Sequence, residues 1–262
     1  MTKVGVFGAG GRMGRTVCGA VAAEPGLELV AAVDPYHAGI DLQQLGVPAP
    51  GLQVAGTADA LAAAGADVAV DFTVLDAARG NLDWCVDHGV HAVVGTTGFT
   101  ADELDRLRQR FDASPANAVI APNFSIGAVL MIRFAELAAP LFETAEIIEL
   151  HHDEKVDAPS GTSLLTAERM AAASPDWGAD PTERTVVEGA RGGAASGIRV
   201  HSVRLRGLVA HQEVLLGTTG QMLTIRHDSY DRSSFMPGVL LAVRGVADRP
   251  GLTVGLDALL GL

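Results

Sequence analysis

The first 122 residues alternate short apolar runs with longer helical stretches, and this alternation constrains the chain more than any other feature. A strand in a parallel sheet cannot reach its neighbour through a tight turn; it needs a crossover of a dozen or more residues, usually a helix. Repeated β-then-α segments therefore predict an α/β fold, a Rossmann-like doubly wound parallel sheet. The strand candidates are 3–8 (KVGVFG), 27–34 (LELVAAVD), 67–72 (DVAVDF), 90–97 (VHAVVGTT) and 117–122 (NAVIAP). Helical stretches lie at 11–24, 75–89 and 100–111, the last a charged surface helix with Thr100 as its cap. Residues 35–57 are rich in glycine and proline and show no clear period.

The pattern then changes. An apolar helix at 124–142, a strand at 145–152 and a helix from Ser160 to about Ala173 precede a loop through SPDWGADPTE and GARGGAASG. Three alternating runs follow at 198–207, 208–219 and 221–229, and the short joins at Gly207 and Gly220 suit hairpins. A second α+β domain with a mixed or antiparallel sheet is expected. Residues 233–262 form an apolar helix and tail that should pack back on the first domain. The expected domains are 1–122 joined by 233–262, and 123–232.

Charge narrows the range of partners. With 19 Lys and Arg against 31 Asp and Glu, the net charge of −12 repels nucleic acid and anionic membranes, so any anionic ligand needs a local site. No stretch approaches the roughly 20 apolar residues of a membrane span. The opening MTKVGVFGAG enters a strand at once, without a basic segment and apolar core, so a cytoplasmic protein is expected. Cys18 and Cys85 fall inside helix-like apolar patterns, outside any metal or redox spacing, and read as buried thiols.

The first strand runs straight into GAGGRMG, with Gly8, Gly10, Gly11 and Gly14 before a helix. Such glycines permit a tight turn and bring backbone N–H groups close to a pyrophosphate at the helix N-terminus, although a purely structural turn would use the same residues. The spacing is G-x-x-G-x-x-G rather than the strict G-x-G-x-x-G. Asp34 ends the second strand, where an acid can bind an adenosine ribose. It also repels a 2′-phosphate, and Pro35 follows it in place of a neutralising arginine, which favours NADH or dual use over strict NADPH. Arg12 and Arg15 could partly compensate. VDFT (70–73), GTTGFT (95–100) and APNFSIG (121–127) are further strand ends at the carboxyl edge, where open α/β sheets bind ligands.

The second cluster is HHDEKVDAPSGTS, residues 151–163. Ser160 can cap a helix, Gly161 opens its backbone to a ligand and Thr162 adds a hydroxyl, so the helix tip suits a carboxylate or phosphate. His151, His152 and Lys155 supply donors from the other side, enough to grip two carboxylates of one small molecule. A surface loop whose cations balance Asp153, Glu154 and Asp157 is the plainer alternative. Joint metal ligation by His151, His152 and Asp153 is disfavoured, because adjacent strand residues face opposite ways.

These motifs, with VVGTTGF and the late GLVAHQEVLLG, run in order through the whole chain, and the sequence resembles the dihydrodipicolinate (4-hydroxy-tetrahydrodipicolinate) reductase family. The specific match is ELHHDEKVDAPSGTS against the family's E-x-H-H-x-x-K-x-D-A-P-S-G-T. The resemblance implies NADH- or NADPH-dependent reduction of a cyclic dicarboxylic imine, with loss of water, in the diaminopimelate route to lysine. It implies a dinucleotide-binding domain, a substrate-binding domain that also builds a homotetramer, and a hinge between them. It assigns His151 an acid/base role and Lys155 that of proton donor, with His152, Ser160, Gly161 and Thr162 at the substrate. Gly8, Ala9, Gly10, Gly11, Arg12, Met13, Asp34, Gly95, Thr96, Thr97, Ala121, Pro122, Asn123 and Phe124 match its cofactor contacts; no metal is implied. Many relatives carry a basic residue where this chain has Asp153 and Glu154, which lowers the local positive potential. Another Rossmann oxidoreductase or a nicotinamide-binding sensor are the competing readings.

Overall fold

In the computed structural model, which describes residues 1–262, the β-then-α alternation is realised with one break, a 3-10 turn in place of a helix between the second and third strands. β1 (Thr2–Phe7), α1 (Arg12–Ala23), β2 (Leu27–Val33), β3 (Val54–Ala55), α2 (Asp59–Ala63), β4 (Val68–Asp71) and α3 (Leu75–His88) come first. β5 (His91–Val94), α4 (Ala101–Asp112) and β6 (Ala118–Ile120) follow. All these strands pair in parallel, in the order β6-β5-β4-β1-β2-β3. Val68, Ala69, Val70, Ala92, Val93 and Val94 are almost wholly buried, the unbroken apolar run of strands covered on both faces. Cys18 on α1 and Cys85 on α3 lie in this interior as free thiols, and burial pushes Cys18 up to about 12.

Helix α4 starts with a capping box: Thr100 Oγ1 accepts from Glu103 N, and the Glu103 side chain accepts from Thr100 N. That backbone hydrogen bond, with help from Arg79, lowers the Glu103 carboxyl to about 2. The 35–57 segment holds a 3-10 turn at Leu42–Leu45, capped by Asp41, and the two-residue β3. Neither is long enough to show a period in the sequence.

The second part begins with α5 (Ile126–Ala138) and continues through β7 (Thr144–His151), α6 (Gly161–Ala173), β8 (Gly193–Ala195), β9 (Ile198–Arg204), β10 (Ala210–Thr218) and β11 (Gln221–Ser229). Its sheet is mixed, ordered β11-β10-β7-β9-β8. The join at Gly220 is a hairpin between β10 and β11. The join at Gly207 is not: β9 pairs in parallel with β7, β10 pairs antiparallel with β7, and β7 lies between them. Residues 205–209 can reach across two strand spacings, about 10 Å, so a short join did not require adjacency. The expected loop at GARGGAASG contains the edge strand β8. Helices α5 and α6 cover one sheet face through Met131, Ile132, Ala135, Ala167 and Met170, which meet Ile147, Val200, Val214 and Leu216.

The tail forms α7 (Met236–Gly245), β12 (Leu252–Val254) and α8 (Asp257–Leu260), and β12 extends the first sheet beside β6, also in parallel. Asn117 holds the tail there: its Nδ2 donates to Val246 O and Ala247 O, and its Oδ1 accepts from Gly251 N. Two units result, Met1–Ser125 with Arg232–Leu262, and Ile126–Asp231. No helix is long and apolar enough to cross a membrane.

Candidate active site

In the first unit the chain goes from β1 out to β2 and β3, then returns to place β4 on the other side of β1. This makes a topological switch point at the carboxyl edge, where open α/β sheets bind ligands. The segments after β1, β4, β5 and β6 all emerge at that edge.

The turn after β1 is close-packed. Gly8 has φ +65°, and a Cβ on Gly14 would lie 2.0 Å from Gly8 O. Gly11 N–H closes the turn onto Gly8 O, and Gly11 then serves as N-cap of α1 with no capping side chain. The leading N–H groups of α1 are therefore left to an incoming acceptor. Ala9 and Gly10 are buried, Met13 is half-buried and Arg12 is exposed; Arg15 Nε donates to Gly10 O at 2.9 Å.

Asp34 is tied to the glycine turn by its carboxylate. It is buried, its Oδ2 accepts from Gly10 N at 3.0 Å and its Oδ1 from Tyr36 N at 2.9 Å. The carboxylate thus braces the glycine turn. His37, 3.2 Å from Asp34 Oδ1, packs against Gly10, where a Cβ would strike its ring.

The neighbouring strand ends are tied together. Buried Asp71 accepts from Thr73 N and from Asn81 Nδ2, both at 2.7 Å. Burial nevertheless raises its carboxyl above the usual range. Thr96 Oγ1 donates to Thr73 O at 2.7 Å, and Gly95 packs on Phe72, whose ring meets Phe124 at 5.6 Å. Ala121 N donates to Val94 O, and Asn123 Oδ1 accepts from Ser125 N. Thr97 and Pro122 are exposed.

In the second unit α6 opens at Ser160, whose Oγ accepts from Ser163 N and meets Ser163 Oγ at 2.8 Å. Ser163 Oγ donates to Gln212 Oε1, Gln212 Nε2 donates to Thr166 Oγ1, and Thr166 Oγ1 donates to Thr162 O. This buried chain fastens the helix start to β10. It also turns the Ser160 hydroxyl inward, which leaves the backbone of Gly161 and Thr162 and the Thr162 hydroxyl for a ligand. Gly161 has nothing within 4 Å of a would-be Cβ. Gln212 lies in the quoted motif GLVAHQEVLLG, yet only the fold reveals its partners.

Residues 149 and 151 share one face of β7. His151 Nδ1 lies 2.5 Å from Glu149 Oε2, and Glu149 is completely buried. Arg204 pairs with His151 in the β7–β9 register and grips both Glu149 oxygens, at 2.8 and 2.9 Å. Burial lowers His151 below the usual imidazole value, and the bond to Glu149 opposes this only in part. For Glu149, burial pushes the carboxyl up, but the bonds from Arg204, Ser202 and His151 outweigh it and the net shift is down.

Lys155 Nζ reaches Asp157 Oδ1 and Oδ2 at 2.7 and 2.8 Å. Asp153 Oδ2 accepts from Arg206 Nε at 2.8 Å, so its charge is balanced. His152 is exposed and is held through its backbone, its N–H donating to Val209 O and its carbonyl accepting from Lys155 N. His151, Lys155 and the α6 tip thus come from consecutive segments, with the side-chain cations already paired. His151, His152 and Asp153 do not converge, and no group of three or more ligand-type side chains is arranged for a metal.

Two family models match this chain: dihydrodipicolinate reductase, N-terminus, over residues 2–124, and dihydrodipicolinate reductase, C-terminus, over 127–260. The 4-hydroxy-tetrahydrodipicolinate reductase of Cutibacterium acnes is 53% identical over 266 residues, covering 100% of both chains. The dipicolinate-bound dihydrodipicolinate reductase of Paenisporosarcina sp. TG-14 is 40% identical with a TM-score of 0.87, covering 98% of this chain and 99% of that one. A Thermus thermophilus dehydrogenase solved with NAD and α-ketoglutarate is 12% identical at a TM-score of 0.61, covering 98% of this chain and 91% of the other, a likeness of fold alone. From end to end, the chain belongs to the dihydrodipicolinate reductase family.

Proposed function

We propose that this protein is a 4-hydroxy-tetrahydrodipicolinate reductase, an oxidoreductase of the diaminopimelate route to lysine that works in the cytoplasm. The observation that carries the reading is the 53% identity to such a reductase over the full length of both chains. The dipicolinate in the Paenisporosarcina relative supports a small cyclic dicarboxylate as substrate class here.

The first unit is the cofactor-binding part in this reading. Its open α1 N-terminus, a glycine turn with no room for side chains, the small residues at 95–97 and the backbone of 121–124 fit a nicotinamide dinucleotide. Such a cofactor, when bound, supplies the hydride. Gly8, Ala9, Gly10, Gly11, Arg12 and Met13 would hold the pyrophosphate, with Asp34 bracing them near the ribose. The buried carboxylate and the absence of an arginine at 35 favour NADH, alone or beside NADPH.

In the second unit the N–H groups of Gly161 and Thr162, with the Thr162 hydroxyl, would take one substrate carboxylate, and Lys155 with His152 the other. Substrate loses its 4-hydroxyl as water, then gains a hydride at a ring carbon and a proton. Lys155 is the better donor of that proton, because His151, lowered by burial, is mostly neutral at pH 7. His151 then orients substrate or accepts a proton. The exposed Met222 and Leu223 on β11 support assembly of this unit into a homotetramer, which light scattering would read directly.

The test is oxidation of NADH and of NADPH, followed at the nicotinamide absorbance, with substrate made in place by the preceding synthase from pyruvate and aspartate semialdehyde. Turnover that collapses in Lys155→Ala is the expected result. Cofactor binding without oxidation would sink the reading.

A further inference from the structure

Glu149 is an odd residue for its position. It sits on the central strand β7, on the face that also buries Ile147, and its cross-strand partner on β10 is Gln212. A buried ion pair at such a place is weak evidence for stability, since apolar residues of similar volume hold a sheet as well or better. Its geometry is instead directed at the residues of the proposed site. Arg204 offers its planar fork to both oxygens of Glu149, and Glu149 Oε2 meets His151 Nδ1. Arg204 Nη2 also donates to Asp157 O at 2.6 Å, and the Asp157 carboxylate holds Lys155. One guanidinium therefore braces the supports of both residues assigned to proton handling. His151 Nε2 makes no hydrogen bond of its own.

We propose that Glu149 and Arg204 are positioning residues for the reduction: Arg204 clamps Glu149, Glu149 accepts the Nδ1 proton of His151, and His151 thereby presents Nε2 to substrate. This rests on the reductase reading for its kinetic consequences but not for the tautomer itself. A carboxylate on one ring nitrogen selects which nitrogen carries the proton and fixes the ring plane. The charged groups facing His151 are Glu149 on its own strand, Arg204 on β9 and Lys155 on the following loop, while its partner on β10 is the uncharged Ala210. Glu149 is the only anion among them. Its removal leaves burial and two cations, all of which disfavour the imidazolium.

The experiment pairs histidine-ring nitrogen NMR on the free protein with the pH dependence of kcat/KM. Wild type at alkaline pH is expected to show His151 protonated at Nδ1; an Nε2–H ring overturns the proposal outright, with no variant needed. Glu149→Gln keeps the size and removes the charge. It should lose the fixed tautomer, lower kcat on the order of 10²-fold with substrate KM little changed, and move the His151 limb to lower pH. Glu149→Gln that melts earlier yet keeps the tautomer and the position of that limb would reduce the pair to a structural role. Should Glu149→Gln fail to fold, Arg204→Lys, which keeps the cation without the fork, is read by the same criteria. If wild type shows the Nδ1–H ring but no turnover, the reductase reading falls and the tautomer assignment stands.

Discussion

The two units solve ligand recognition in opposite ways. In the first, the candidate contacts are backbone groups and small side chains at four adjacent strand ends, and both carboxylates at that edge are engaged within the protein, Asp34 on the glycine turn and Asp71 on Thr73 and Asn81. In the second, they are charged side chains and a helix tip, with each cation already holding an anion: Lys155 with Asp157, Arg204 with Glu149, Arg206 with Asp153. The contrast teaches that substitutions in the first site should act by steric displacement and leave pH dependence alone. Those in the second should act through charge and proton supply.

The largest expected effect lies in the second unit. Lys155→Ala removes the proposed proton donor, and turnover should fall roughly 10²- to 10⁴-fold. Cofactor affinity, measured by fluorescence titration of NADH, should be unchanged. A variant that lost both together would break the division of labour between the units.

Next comes Gly14→Ala. The new Cβ would meet Gly8 O at 2.0 Å and Ala9 Cα at 2.8 Å, both backbone atoms that cannot swing aside. Displacing them costs about 1–3 kcal/mol, so NADH should bind roughly 10- to 100-fold more weakly with the pH profile unmoved. Gly161→Ala offers the control, since nothing lies near its would-be Cβ. There the melting temperature should hold while the substrate KM rises.

A third measurement sharpens the electrostatic half. Burial lowers His151 and Glu149 only partly opposes it, so the kcat/KM limb belonging to this imidazole should lie below the usual value of about 6.5. Above that pH the ring is neutral and the profile flat; protonation sets in only as pH falls through the lowered value. A limb above 7 would mean that Glu149 outweighs burial.

How much of this could be read from the chain follows the range of the interactions. Strand β1, its glycine turn and α1 are written in contiguous residues, as are the capping role of Ser160 and the placing of His151 next to Lys155. Strands β8 and β12 were invisible because three residues of edge strand carry no period, and β8 is built of glycine and alanine. The arrangement of β9 and β10 around β7 depends on a pairing more than fifty residues away in the chain. Glu149 stood in the quoted motif, and its i, i+2 relation to His151 could have placed both on one face. Its partner Arg204 is supplied only by the register of two parallel strands.

The smallest effect tests whether the paired cations of the second unit are blocked or merely waiting. Asp157 is more than half exposed, and ion pairs of this kind contribute about 1 kcal/mol or less. Lys155 lowers its carboxyl, so the pair persists at neutral pH. If a substrate carboxylate takes the place of Asp157 on Lys155, then Asp157→Asn removes a competitor and should lower the substrate KM by up to about 5-fold, with kcat nearly constant. The loop should keep its shape, because Arg204 holds Asp157 through the backbone carbonyl, which the substitution leaves intact. A KM that rises tenfold would instead show Asp157 aiming the ammonium group. The charge pairs of this unit would then be part of its binding geometry, not stand-ins for the ligand, and the second site would be as preorganised as the first.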